Sequence, residues 1–334
     1  MKNILVTGGA GYIGSVLIRK LLSAGYNVVC VDKLAFGGES LIDVWSHPNF
    51  LFYKLDINDY VKISDVLRKH PVSAIIHLAA IVGDPACSIE PELAVKTNWE
   101  ASRYILENSI ELKTPRFIFA STCSNYGKMR DPNGYVDENS PLSPISLYAE
   151  LKVKFENYML NEIALTEGFC PVALRFSTVY GLSNRPRFDL TVNEFTKELS
   201  LGRELIVFGE QFWRPYCHVD DFSRAILLIL DAPRNKIAYE VFNVGDSSEN
   251  YTKKMIVEEI CKQISGCKIK YVEKKEDPRD YKVNFDKIKK TLGFRISKTV
   301  PDGIREIREI IENGLISNPD NQRFYNVPFQ AGRR

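Results

Sequence analysis

The sequence predicts an α/β fold: a doubly wound parallel sheet followed by a smaller C-terminal α/β lid. Three observations carry that prediction. A glycine-rich turn, Thr7 to Gly14, separates an apolar run from an amphipathic stretch near the start of the chain. Strand-like and helix-like segments then alternate to about residue 180. After Gly181 the rhythm breaks. Alternation of this kind gives parallel strands with helices on both faces.

The elements follow in order. Ile4-Leu5-Val6 reads as the first strand and Ser15 to Leu22 as its helix. Asn27 to Val31 is the second strand, with Asp32 at its end. Leu51 to Lys54 is the third and runs into Leu55-Asp56-Ile57. Ala74 to His77 is the fourth and runs into Leu78-Ala79-Ala80. Phe117 to Ala120 is the fifth, and Pro171 to Phe176 the sixth. Tyr148 to Thr166 has helical spacing and packs on the sheet. Ser183 to Arg187 reads as a polar, mobile loop. A helix from Thr191 to Leu201 follows, then strands Leu205 to Phe208 and Tyr216 to Val219. The second of these leads into a helix, Asp221 to Leu230. Asn250 to Ser265 and Pro301 to Asn313 read as further helices.

The turn is Thr7-Gly8-Gly9-Ala10-Gly11-Tyr12-Ile13-Gly14. One glycine lets the chain turn, one admits a pyrophosphate close to the backbone, and one lets helix and strand pack closely. The helix start then offers unpaired N–H groups and a positive dipole end to a diphosphate. Gly8, Gly11, Tyr12, Ile13 and Gly14 are therefore candidate cofactor contacts. A carboxylate at Asp32 can accept both ribose hydroxyls of NAD and repels a 2′-phosphate, which favours NAD over NADP. Lys33 follows directly and softens that exclusion. Residues 1–180 then form a Rossmann-type NAD-binding domain, and residues 181–334 a smaller substrate-binding region. Tyr216 to Leu230 crosses back to the core, and the active site is expected in the cleft beyond the strands' carboxyl ends.

Composition excludes several other classes. The chain has 334 residues and a net charge of +2, so no global field draws it to nucleic acid or an anionic membrane. The Lys287 to Lys290 cluster reads as a solvated helix face. No apolar run approaches the length of a membrane span. The N-terminus enters a strand without a signal-peptide pattern, so a cytoplasmic protein is expected. Seven cysteines are scattered without a C-x-x-C pair, and the four histidines do not cluster with them. Neither a metal site nor a disulfide framework is expected.

Tyr148-Ala149-Glu150-Leu151-Lys152 carries the chemistry. Positions i and i+4 share one helix face, so phenol and ammonium can enter one cleft. A free tyrosine ionises near pH ~10. A nearby lysine cation, together with a positive nicotinamide ring, is expected to lower that value. The phenolate can then take a proton from a hydroxyl while hydride leaves the same carbon.

Together, the G-x-x-G-x-x-G spacing at Gly8, Gly11 and Gly14 and the Y-x-x-x-K motif resemble the extended branch of the short-chain dehydrogenase/reductase superfamily. They point within it to nucleotide-sugar epimerases and dehydratases of the UDP-glucose 4-epimerase type. The resemblance implies that Asp56 and Ile57 flank the adenine and that Leu78, Ala79 and Ala80 pass behind the cofactor. It implies that Asn98, in Lys96-Thr97-Asn98, steadies the active site. Phe119 to Gly127 resembles S-S-[ST]-x-x-V-Y-G, which places the catalytic hydroxyl on Thr122, with Ser121 and Ser124 as runners-up. Cys123 and Ser124 follow where sugar 4,6-dehydratases resemble T-D-E, so 4,6-dehydration is not expected. Cys123 is read as packing against cofactor or substrate. Arg214, in Trp213 to Asp221, matches the arginine of R-D-Y-x-H-V-x-D, and a guanidinium fork suits a diphosphate. Arg279 is a second phosphate candidate, and Asn193 a contact to nucleotide or sugar. His218 is read as structural.

Two departures bear on the substrate. Thr178 stands where the family has an asparagine against the substrate, and Pro215 replaces an aspartate. Ala80 to Cys87 and Gly181 to Leu190 resemble a bacterial subgroup that includes a GDP-heptose 4-dehydrogenase. The expected activity is NAD-dependent oxidoreduction at C4 of a nucleoside-diphosphate sugar, foremost 4-epimerisation through a 4-keto sugar. Net dehydrogenation or ketoreduction is the alternative, and a silent NAD-binding regulator a third reading. The resemblance also implies a homodimer, built by an intersubunit four-helix bundle from the Tyr148 helix and the helix after Asn98.

Overall fold

The computed structural model describes residues 2–129, 131, 134–163, 166–277 and 279–327. Its strands are β1 (Asn3–Thr7), β2 (Asn27–Asp32), β3 (Phe50–Lys54), β4 (Ala74–His77), β5 (Arg116–Thr122), β6 (Cys170–Phe176), β7 (Thr178–Tyr180), β8 (Glu204–Phe208), β9 (Trp213–His218), β10 (Glu240–Val244), β11 (Asn250–Thr252) and β12 (Lys268–Val272).

Seven of them form the central sheet in the order β10-β6-β5-β4-β1-β2-β3. Every pairing in it is parallel. All four residues of β4 and all seven of β6 are buried, as strands covered on both faces must be. One face packs the Tyr12–Ser23 and Val219–Asp231 helices through Leu17, Ile18, Leu21, Phe222 and Ile226. The other packs the Tyr60–Lys69, Ser102–Glu111 and Leu147–Asn157 helices through Ile63, Leu67, Ile105 and Phe155. The strand order reverses at β1, where Thr7 lies beside His77 of β4. A crevice opens at such a reversal, beyond the carboxyl ends of the strands.

Beyond β6 the chain builds a three-stranded sheet, β11-β9-β7, and a two-stranded one, β12-β8. The Thr191–Ser200, Lys253–Cys261 and Val300–Glu312 helices pack there around Phe195, Ile256, Ile260 and Ile304. The chain crosses back to the core through Val219–Asp231, which packs on the Tyr12–Ser23 helix, and again through β10 at the sheet edge.

Three local expectations change. Asn250 to Thr252 are not helical: they pair antiparallel with Trp213 to Pro215, and the helix begins after Thr252, whose side chain caps Met255 N–H. The Tyr148 helix runs from Leu147 to Asn157 and ends in a π turn, Tyr158–Glu162, while the expected continuation at 164 and 165 lies outside the described residues. Ser183 to Arg187 is not a solvated loop. Ser183 and Arg185 are buried, and Ser183 Oγ donates to Tyr12 O at 2.6 Å and lies 3.0 Å from Ser15 Oγ. Strands β7, β10 and β12 have no counterpart among the sequence expectations. Each is short or carries polar residues that break the apolar pattern.

Candidate active site

The glycine turn sits at the crevice. Gly8 has φ +74°, and a Cβ there would lie 2.7 Å from Ala79 N, so glycine lets the turn approach the backbone that follows β4. A Cβ at Gly14 would lie 2.2 Å from Gly8 O, which fixes how closely the helix meets the turn. Gly9, not singled out by the sequence pattern, packs against Cys30 and Ile18 in the same way. Gly11 is the N-cap and supplies no side-chain cap, so the first helical N–H groups face the crevice without a side-chain acceptor. An anionic diphosphate fits that end. The Tyr12 phenol points the other way and donates to Gly181 O, tying the helix start to the loop after β7. Ile13 packs on the core.

Asp32 lies at the end of β2, and its carboxylate accepts from Ala10 N at 3.0 Å and Leu34 N at 2.7 Å. Burial raises its pKa, opposed by those two N–H donors. Its oxygens keep lone pairs for ribose hydroxyls. Lys33 is exposed and pairs with Asp56 at 3.4 Å, and Ile57 is buried beside it. Leu78, Ala79 and Ala80 follow β4 into the crevice, and Ala79 N donates to Thr7 Oγ1 at 3.3 Å. Thr7 in turn meets His77 Nδ1, which burial holds neutral, with a pKa down at about 3. The glycine cradle, the open helix start and the Asp32 carboxylate together fit an adenine dinucleotide with free ribose hydroxyls.

Asn98 lies in a π-helical turn, Lys96–Ala101, and is buried. Its amide exchanges two hydrogen bonds with the Ile81 backbone, at 2.8 and 2.9 Å. The wider turn aims the amide across to the β4 exit, a use of π geometry that recurs at functional sites.

Ser146 caps the next helix by accepting from Ala149 N and donates to Asp84 Oδ1 at 2.6 Å. That helix carries Tyr148 and, one turn on, Lys152. Lys152 Nζ donates to Ala120 O of β5 at 2.7 Å and stands 5.8 Å from the Tyr148 ring centroid. Thr122, the last residue of β5, accepts from Ser124 N at 3.1 Å. Lys152 thus ties the Tyr148 helix to β5 two residues before Thr122. The electrostatics differ from the sequence expectation. Burial brings Lys152 down to about 7, while burial first, then Cys87 and Asp84, push the Tyr148 phenol up; Arg187 alone among the main neighbours opposes this. Desolvation outweighs the lysine because Lys152 is buried and turned to a carbonyl while the half-buried Tyr148 ring packs against Cys87 and Leu151.

A buried network holds this geometry. Arg175 on β6 forms an ion pair with Glu156 on the Tyr148 helix and donates to Tyr126 OH at 2.9 Å. Tyr126 donates to Asn243 of β10 at 2.7 Å, and Ser121 Oγ to Glu156 Oε2 at 2.6 Å. Cys123 is buried and donates its thiol to Arg175 O, with its pKa pushed up by burial; it packs under the strand end. Ser124 faces Tyr281.

Arg214 lies on β9, where its Nη2 pairs with Asp277 at 2.8 Å. Arg279 pairs with Asp84 at 2.8 Å and approaches Asp277 at 3.7 Å. Burial works against the Asp277 carboxylate, but Arg214 leads the contacts that hold its pKa below the usual range. The two expected phosphate ligands therefore share one carboxylate. Thr178 opens β7 beside Tyr216 of β9. Asn193 is fully engaged inside the protein: Oδ1 accepts from Gly181 N, and Nδ2 donates to Arg187 O at 2.9 Å. His218 caps Asp220 N and meets Glu306 at 2.9 Å, a structural position. Asp84, Glu156, Arg175, Arg187 and Asp277 escaped the sequence reading, because no local spacing announces partners that meet only in the fold.

Comparison with known proteins accords with this geometry. Residues 4–245 match the model of the NAD dependent epimerase/dehydratase family. A dTDP-glucose 4,6-dehydratase of Streptomyces niveus is 31% identical, over 92% of this chain and 91% of its own length. A UDP-glucose 4-epimerase of Lactobacillus helveticus is 27% identical, over 87% and 91%. The solved structure of UDP-glucose 4-epimerase with UDP-glucose from Thermotoga maritima superposes with a TM-score of 0.82 at 31% identity, covering 94% of this chain and 99% of that one. A dTDP-glucose 4,6-dehydratase from Bacillus anthracis, in complex with NAD, gives 0.82 at 25%, covering 95% and 98%. The chain thus belongs to the NAD-dependent epimerase/dehydratase family, within the extended short-chain dehydrogenases/reductases, and takes NAD as its cofactor.

Proposed function

We propose that the protein is a nucleotide-sugar 4-epimerase with Tyr148, Thr122 and Lys152 as its catalytic residues. The reading is supported by Lys152, which ties the Tyr148 helix to β5 just before Thr122, and by the neutral residues Cys123 and Ser124 directly after Thr122. NAD, when bound, supplies the hydride acceptor and donor for C4 of the sugar. Tyr148 takes the proton from the C4 hydroxyl and returns it after the 4-keto sugar has turned over. Thr122 hydrogen-bonds the same oxygen and aims it at the phenol. Lys152, charged below about pH 7, favours the phenolate across the shared helix face. Cys123 is spent on packing and Ser124 is neutral, so neither can act as the acid or base that expels water. That argues against 4,6-dehydration despite the dehydratase relatives.

Arg214 and Arg279 bind the substrate diphosphate, exchanging a protein carboxylate for phosphate oxygens. Thr178 contacts the sugar beside them. Gly8, Gly11, Gly14, Asp32, Asp56, Ile57 and Leu78 to Ala80 line the cofactor, and Asn98 holds the β4 exit that supports it. Residues 181–334 serve mainly as the substrate region. The protein works as a homodimer in the cytoplasm. The cysteines among the described residues are all free, as a reducing compartment requires. No described helix is long and apolar enough to cross a membrane.

The test is a panel of UDP-, GDP-, dTDP- and CDP-sugars with NAD, following reduced nicotinamide by absorbance and products by NMR. A C4-inverted sugar with no net NADH is expected. Stoichiometric NADH with a keto sugar would instead make the protein a dehydrogenase, the reading favoured by the local resemblance at Ala80 to Cys87.

A further inference from the structure

Arg185 is only 6% exposed, yet its guanidinium is half used. Nη1 donates to Asn326 Oδ1 at 2.7 Å. Nε and Nη2, which share one edge of the planar fork, have no partner among the described residues. A guanidinium stays charged, and buried donors left dry are strongly unfavourable. The nearby acids are already engaged. Arg187 takes Asp189 through both Nε and Nη2, and Asp32 accepts from Ala10 and Leu34. Among the described residues no acceptor meets the Arg185 Nε–Nη2 edge.

Its position says what belongs there. The guanidinium carbon lies 4.0 Å from the centroid of Phe36, in the loop that follows Asp32. Asp32 and Tyr12 are near enough for their charges to act on its ionisation. Arg185 therefore lies against the loop that follows Asp32, within electrostatic reach of that carboxylate. Beside it a cleft of about 450 Å³ opens between Ala35–Gly37 and the segment that holds Asn326. Two parallel N–H donors on a rigid edge match two oxygens of one phosphate group.

We propose that Arg185 is a cofactor-binding residue, its Nε–Nη2 edge taking two oxygens of a phosphate on the adenosine half of the dinucleotide. The proposal rests on the NAD site described above and not on which sugar reaction follows. Two phosphates have this chemistry: the 5′-diphosphate, common to NAD and NADP, and the 2′-phosphate of NADP. In the second case Arg185 offsets the repulsion from Asp32, and the site admits both cofactors.

Calorimetric binding of adenosine, ADP-ribose, NAD and NADP to the full chain separates these cases. The proteins are wild type, Arg185→Gln, Arg185→Lys and, as a control, Asn326→Ala, which removes the Nη1 partner and leaves the edge. Arg185→Gln is expected to weaken binding at least about 10-fold for phosphate-bearing ligands, the scale of a charge-assisted hydrogen bond, and to leave adenosine unchanged. Losses for ADP-ribose, NAD and NADP alike identify the 5′-diphosphate. A loss confined to NADP identifies the 2′-phosphate. Arg185→Lys, which keeps the charge without the fork, falls between, and it carries the test if Arg185→Gln does not fold. Unchanged affinities in a cooperatively melting variant, or an equal loss for adenosine and for Asn326→Ala, would overturn the proposal and make Arg185 a structural residue.

Discussion

Tyr148 and Lys152 are both shifted by burial, in opposite senses, and each shift makes a measurable statement. Removing the phenolic oxygen in Tyr148→Phe takes away the only proton acceptor proposed for C4. We expect kcat to fall about 10²–10⁴-fold with NAD affinity unchanged; a variant with more than a tenth of wild-type kcat would sink the assignment. Lys152 has a folded-state pKa of about 7 against an ordinary 10.5. Between those values the unfolded chain binds the extra proton, so stability rises with pH across that window. The penalty for the buried cation is complete below about pH 7 and relieved above 10.5. The cofactor-free Lys152→Met variant should therefore gain most over wild type near pH 6 and least near pH 10. Equal gains at both would contradict it. The Tyr148–Lys152 pair was legible because a four-residue spacing fixes a shared helix face. The direction of the phenol's shift was not, because desolvation is set by elements distant in sequence.

At the scale of elements, the glycine turn and its helix form the most constrained unit. A methyl group at position 14 would meet the backbone of Gly8 and Gly9 at 2.2–2.9 Å, and backbone cannot rotate aside as a side chain can. We expect Gly14→Ala to lower stability by about 1–3 kcal/mol in urea melts and to weaken NAD binding; an unchanged melt would show that the turn relaxes freely. Most strands were read within one or two residues, since strands covered on both faces are written as apolar runs. β10 was not. Glu240 and Asn243 interrupt it, and Asn243 is buried there because Tyr126 and the Asn284 carbonyl satisfy it. β11 was read as helix start, because its three residues are too few to show a strand's alternation before the helix that Thr252 caps.

The whole molecule joins the central sheet's helices to the C-terminal half by charged pairs across long stretches of chain. Arg279 reaches Asp84, which also receives Ser146 at the head of the Tyr148 helix. Asp84 thus joins Arg279 to the head of the Tyr148 helix. The proposed dimer uses the outer faces of that helix and the one after Asn98, where Trp99 packs edge-on against Tyr158 under Lys154 and Arg103. Light scattering at micromolar concentration should give twice the chain mass of 38.1 kDa, and a monomer would refute the bundle. The sequence by itself determined the parallel α/β core, the glycine turn between β1 and its helix, and the placing of Tyr148 and Lys152 one helical turn apart, because each is encoded by spacing within one turn, strand or helix. Only the tertiary structure decided that Arg214 and Arg279 share Asp277, that Asn193 is spent inside the protein, and that Arg185 is buried against Phe36 with its Nε–Nη2 edge unpaired among the described residues. Those outcomes depend on which distant residues arrive as partners, and partnership is fixed by the path of the chain.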